Sequence, residues 1–143
     1  MARGDLGQLD DLLGPGEVRR HVHQPRRQPE RALLHQIIDT CRQLEARGLN
    51  QGTSGNVSVR CGADAAAGFF LTPTNLPYDR MVPDDVVHVT LDGRCTGRCR
   101  PSSELPFHLA IMQQRRDAVA VIHTHSTHAT TMAGITSRKS ADG

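Results

Sequence analysis

Apolar residues recur at helical spacing between positions 29 and 47, where Leu33, Leu34, Ile37, Ile38, Cys41 and Leu44 fall along one stripe. Gly48 follows at the place of a C-terminal cap, so the pattern predicts an amphipathic helix. After the turn Gly52-Thr53-Ser54-Gly55-Asn56 the period drops to two, and the alternation Val57-Ser58-Val59-Arg60 predicts a strand with one buried face. Phe69-Phe70-Leu71-Thr72 predicts a second strand, with residues 62–68 as the connecting loop. Pro73-Thr74-Asn75-Leu76-Pro77 then imposes irregular backbone, because each proline restricts itself and the residue before it. Pro83-Asp84-Asp85 could begin a short helical turn ahead of a strand over 86–91, with Asp92-Gly93 as a hairpin turn. His88 is then a strand residue rather than a ligand. Ser102 or Ser103 can cap a helix that tolerates Pro106 in its first turn and continues through Phe107, Leu109, Ala110 and Met112, with His108 as a packing residue inside it. Residues 118–122 predict a buried strand ending at His123-Thr124-His125.

Residues 1–27 carry Gly14, Pro15, Gly16, Pro25 and several arginines without sustained periodicity, which predicts a mobile N-terminal extension. The rest, 28–143, reads as one domain, since 143 residues leave no room for a second independent core. Hydrophobic residues make up 37% but aromatics only 3%, with no Trp, so the core must rest on Leu, Ile, Val and Ala. The formal charge of +2 comes from scattered arginines without an aromatic-interleaved basic stripe, which argues against nucleic acid as a partner. Cys41, Cys61, Cys95 and Cys99 are too few and too irregular for a disulfide framework, and the chain does not open on an apolar leader. A reducing cytoplasm is the expected compartment. Cys95 and Cys99 could bind zinc only with partners from elsewhere and read as free thiols in a turn. No apolar run approaches the ~20 residues that span a bilayer, so no membrane association is expected.

The chemistry gathers near the C-terminal end. Residues two apart in a strand share a face, so His123 and His125 can present two imidazoles to one point. Neutral imidazole suits Zn²⁺ and related divalent ions, but two histidines do not complete a site. Glu104 follows Ser102 and Ser103 at a helix start, where unpaired backbone N–H groups attract anions such as phosphate. A plain N-cap with an acidic first turn would leave the same trace, and Gly55-Asn56 and Thr74-Asn75 would serve equally as ordinary turns.

Taken in order, residues 48–58, Leu71-Thr72-Pro73-Thr74, Pro101-Ser102-Ser103-Glu104 and His123-Thr124-His125 resemble the class II aldolase/adducin head-domain family over about residues 29 to 133. The resemblance implies an α/β fold of three layers, α/β/α, around a central and mainly antiparallel sheet, in a homotetramer with active sites near subunit interfaces. It implies that His123 and His125 are metal ligands, that Glu104 is both ligand and catalytic acid/base, and that Gly55, Asn56, Thr74, Asn75, Ser102 and Ser103 hold the substrate phosphate. The implied reaction is a reversible aldol cleavage of a small sugar phosphate, like fuculose 1-phosphate, to dihydroxyacetone phosphate and an aldehyde. A divalent metal, Zn²⁺ by expectation, polarises the carbonyl and stabilises the enediolate.

Sugar-phosphate epimerases of the family carry Asp where this chain has Glu104, and adducin-like heads lack the histidine pair; dehydratase relatives are a nearer alternative. Two departures stand out. Asn75 occupies a position where the aldolases have Gly. Family members also draw a third histidine ligand from a later segment, whereas this chain stops at Gly143, so a truncated and inactive homologue is the competing expectation. His128 would be a substitute ligand only if helix began at once after His125.

Overall fold

Helix α1 spans Gln28–Ala46 and buries Leu34, Ile37, Ile38 and Cys41, the stripe its periodicity predicts. Each Leu or Ile removed from water there contributes roughly 1.5–3 kcal/mol. The helix stops at Gly48, whose φ of 69° lets its N–H reach the Glu45 carbonyl (2.9 Å) while Leu49 N–H reaches that of Leu44 (2.9 Å). The computed structural model describes residues 28–62 and 65–126. The N-terminal extension, the chain's last residues and His128 lie outside the described residues.

Among the described residues five strands follow: β1 (Asn56–Arg60), β2 (Phe69–Leu71), β3 (Val87–Val89), β4 (Cys95–Thr96) and β5 (Ala120–His123), with helix α2 (Leu105–Gln114) between the last two. They form one sheet in the order β4-β3-β2-β1-β5, and every pairing is antiparallel. Because side chains alternate along a strand, the sheet carries two cores. Val57, Phe70 and Val86 join α1, Tyr78 and Met81 on one face. Phe69, Leu71, Val87 and Val89 join Leu105 and Met112 of α2 on the other. The result is the three-layer α/β/α arrangement. Among the described residues, no helix is long and apolar enough to cross a membrane.

Several elements differ from the sequence reading. β1 is covered on both faces rather than one, since α2 packs over Ser58 and Arg60, both buried. β5 is not a buried strand: among the described residues it is the sheet's edge, with Ile122 50% exposed and Val119, just before the strand, 69% exposed. Cys95 lies in the two-residue strand β4 rather than in a turn, held against β3 through the Val89↔Cys95 pair. Neither serine is the N-cap of α2; that position falls to Glu104, with Pro106 in the first turn. The expected 83–85 turn is present as a 3₁₀ turn (Pro83–Asp85), closed by Val82 N–H donating to Asp85 Oδ2 at 2.9 Å.

Two arginines tie the layers together. Arg42 of α1 donates to the carbonyls of Tyr78, Asp79 and Met81 and so fastens the segment between β2 and β3. Arg60, at the end of β1, donates to the carbonyls of Met112 (2.6 Å) and Arg115 (2.9 Å) at the C-terminal end of α2, and to that of Ala118 (2.8 Å) in the segment that follows.

The β2 entry is tighter still. Gly68 has a φ of 88°, and a Cβ placed there would lie 2.2 Å from the Val89 carbonyl oxygen across the β2–β3 pair. Gly68→Ala is therefore expected to lower the unfolding free energy by roughly 2 kcal/mol or more, from backbone strain and overpacking together. Urea unfolding measures this, and an unchanged midpoint would mean that β2 and β3 can part at no cost.

Candidate metal centre

The site forms where the start of β1, the start of α2 and the end of β5 meet. Asn56 and His123 are register partners across the β1–β5 ladder, so the first residue of one strand and the last of the other sit side by side. The N-terminus of α2 brings Glu104 over this corner. With no side-chain bond to its own helix, its carboxylate turns to the sheet: Oε2 accepts from Asn56 Nδ2 at 2.8 Å and lies 2.7 Å from His123 Nδ1.

His123 and His125 do share a face, although β5 ends at His123. Their rings stack with centroids 4.7 Å apart, and their Nε2 atoms are 2.9 Å from each other. His125 keeps this position beyond the strand because its backbone N–H donates to Asn50 Oδ1 at 3.1 Å. Asn50 is buried and lies where a side chain at position 55 would be: a Cβ on Gly55 would come within 1.9 Å of Asn50 Nδ2. Gly55 thus makes room for a side chain of its own chain, and Tyr78 Oη donates to the Gly55 carbonyl behind it.

Glu104, His123 and His125 can each offer one atom to a metal, and those atoms all lie within 4.8 Å of one another. Donors about 2.1 Å from a tetrahedral zinc ion would be roughly 3.4 Å apart. The 2.9 Å between the Nε2 atoms and the 4.0 Å from His125 Nε2 to Glu104 Oε1 bracket that spacing. Two imidazole nitrogens and a carboxylate oxygen fit a divalent ion of zinc type. Glu104 Oε2, by accepting at His123 Nδ1, leaves His123 Nε2 as the bare nitrogen a cation requires.

The remaining candidate residues lie on neighbouring segments. Thr72 Oγ1 accepts from Val57 N–H (3.1 Å), Ser102 N–H donates to the Thr72 carbonyl (3.1 Å), and Thr74 N–H donates to that of Arg100 (3.1 Å), with a Pro73↔Pro101 bridge between. Thr74 and the Ser102-Ser103 pair therefore belong to two straps joined side by side. Ser102 is buried, its Oγ accepting from Glu104 N–H at 3.2 Å, while Ser103 is exposed. Asn75 is exposed with a φ of 54°, a left-handed conformation that Asn tolerates. Cys99 and Arg98, further along the second strap, both donate to buried Asp85. None of the four cysteines is in a disulfide, and among the described residues none joins a metal-ligating group.

The chain matches the model of the class II aldolase and adducin N-terminal domain over residues 35–141. It belongs to that family. It is 45% identical over 98 residues to the L-fuculose phosphate aldolase of Escherichia coli K12, covering 68% of this chain and 44% of the relative. It is 45% identical over 101 residues to the 5-methylthioribulose-1-phosphate/5-deoxyribulose-1-phosphate aldolase of Escherichia coli O45:K1, covering 71% and 46%. A solved L-fuculose 1-phosphate aldolase superposes with a TM-score of 0.66 at 31% identity, over 71% of this chain and 48% of that one. The chain thus spans less than half the length of the curated relatives it matches.

One residue beside this corner escaped the sequence reading. His108 is no mere packing group: its Nε2 bonds Asn56 Oδ1, and its Nδ1 lies 2.7 Å from Ser58 Oγ. A His four residues after Glu104, one helical turn on, facing the polar alternation Asn56-x-Ser58, was the available signal. Burial pushes the imidazole down to about 4, the Glu104 carboxylate offsetting this only in part and the His123 ring adding to it. In the unfolded chain the ring titrates near 6.5. As pH falls from above 6.5 toward 4 the unfolded chain takes a proton that the folded chain refuses, so stability is lost across that window. The loss attributable to His108 is at most about 3 kcal/mol. Urea unfolding at pH 7.5 and pH 4.5 should show a smaller pH dependence in His108→Gln than in the parent chain. Equal slopes would mean that the ring is not held neutral.

Proposed function

We propose that this chain carries the cation-binding and proton-transferring part of a class II aldolase, an aldehyde-lyase that cleaves a ketose 1-phosphate to dihydroxyacetone phosphate and an aldehyde. The observation that carries the reading is the convergence of Glu104, His123 and His125 within 4.8 Å at the corner between β1, β5 and α2. The similarity to fuculose and methylthioribulose phosphate aldolases supports the substrate class, a short phosphorylated sugar of the fuculose 1-phosphate kind.

His123 and His125 would hold the cation, Zn²⁺ by the softness of the donor set, through their Nε2 atoms. When bound, such an ion polarises a carbonyl and offsets the negative charge that develops as the carbon–carbon bond breaks. Glu104 carries the proton. Its Oε2 is committed to Asn56 and His123, which leaves Oε1 for the cation or for a substrate proton. The phosphate would rest against Gly55, Asn56, Thr74, Asn75, Ser102 and Ser103, on the two joined straps beside that carboxylate, where hydroxyls and backbone N–H groups can receive an anion. Assembly into a homotetramer and a cytoplasmic location belong to the same reading. The four cysteines, none in a disulfide and with the Cys41 thiol pushed up to about 12 by burial, fit a reducing compartment.

The test is release of dihydroxyacetone phosphate from fuculose 1-phosphate by the zinc-loaded chain. Glu104→Gln should reduce kcat about 10²–10⁴-fold, the usual effect of removing a general acid/base, while the histidine pair still takes up metal. No product at high protein concentration would overturn the aldolase reading, and an undiminished rate in the variant would overturn the role of Glu104.

A further inference from the structure

Glu104 stands at the end of a buried file of hydrogen bonds that runs from Ser58 through His108 and Asn56 to its Oε2 atom. Ser58 is fully buried, His108 is 1% exposed and Asn56 is 5% exposed, so water does not readily stand in for any member of the file. Such a file has a polarity, and the polarity can be worked out from its end. A carboxylate only accepts, so the Asn56 group facing Glu104 Oε2 must be the amide nitrogen, and the Asn56 carbonyl oxygen must face His108 Nε2. That oxygen also only accepts, so Nε2 must carry the hydrogen. A neutral imidazole has one such hydrogen, which leaves Nδ1 bare and makes the Ser58 hydroxyl its donor.

We propose that His108, as its Nε2–H tautomer with Ser58 donating to Nδ1, is a positioning residue that locks the Asn56 amide so that its N–H, and never its oxygen, faces the Glu104 carboxylate. The opposite amide orientation would set a carbonyl oxygen against a carboxylate oxygen in a low-dielectric corner, which repels. With Nε2 protonated it would also set two donors, the amide nitrogen and His108 Nε2–H, against each other. With the amide locked, Glu104 Oε2 stays engaged and the second oxygen is left free toward His125. The inference deepens the reading of Glu104 as the proton carrier and rests on it for its catalytic consequence, but the tautomer and the amide orientation rest on geometry alone.

The full chain labelled with ¹⁵N-histidine tests the first part directly. A long-range ¹H–¹⁵N correlation spectrum should show His108 with a protonated Nε2 and a bare, hydrogen-bonded Nδ1 at pH 7. A ring protonated at Nδ1, or averaging between tautomers, would overturn the proposal without bearing on whether the chain is an aldolase. The second part is tested by zinc titration of the parent chain, His108→Leu and His108→Gln. Leu removes the donor, whereas Gln can still offer an N–H to Asn56. Zinc affinity should fall about tenfold in the Leu variant and recover to within about threefold of the parent in the Gln variant, in line with the effect of losing a group behind a metal ligand. Where turnover is measurable, kcat should follow the same order with KM shifted less. Equal zinc affinity in all three chains, or a Gln variant no better than Leu, would overturn it.

Discussion

The site depends on one commensurate fit, between β1 and α2. Two residues of strand advance about 6.6 Å and four residues of helix about 6.0 Å, so a strand and a helix lying side by side can match every second residue to every fourth. Here Asn56 meets Glu104 and His108, Ser58 meets His108, and Arg60 meets the carbonyls of Met112 and Arg115. Each contact is polar, and each is buried or half-buried between two layers. A slip of α2 by one residue would break all of them at once. The carboxylate of Glu104 is therefore placed over the β1–β5 corner by the whole length of the helix rather than by its own loop.

The second half of the corner rests on the β1–β5 ladder and on Asn50. The pairing of Asn56 with His123 puts both groups that hold Glu104 Oε2 on adjacent strands. Asn50 then catches the backbone of His125 just past the strand end, in space that only a glycine at position 55 leaves open. Gly55 thus serves the histidine pair through Asn50. Membership of the class II aldolase and adducin family follows from the match over residues 35–141. These contacts hold the histidine side of β5, while Ile122 of the strand and Val119 just before it are exposed at what is, among the described residues, the edge of the sheet.

The elements with strong apolar periodicity were legible in the sequence. Helix α1, its glycine stop and strands β1 to β3 announce themselves because burial of one stripe or one face leaves a regular trace, and His123-x-His125 reads as a shared face because residues two apart in a strand point the same way. What stayed hidden had no such trace. β4 is two residues long with no apolar run, and residues 118–122 predict a buried strand because apolar composition alone does not tell a central strand from an edge. The alternation of Asn56, Ser58 and Arg60 with Val57 and Val59 predicts one buried face, with the polar side left to solvent. A polar face can also be buried when another polar face satisfies it, and that is the role of His108 and the α2 carbonyls. Buried polar pairing leaves no hydrophobic signal, so the positioning file behind Glu104 could not be seen before the helix was placed.

X-ray absorption at the zinc edge of the metal-loaded chain measures the central claim most directly, because it reports the donors themselves. Convergence of His123, His125 and Glu104 on one cation predicts two imidazole nitrogens and oxygen at about 2.0–2.2 Å, with no sulfur. Sulfur at about 2.3 Å, placing the ion on the cysteines, or a shell without imidazole scattering would contradict it.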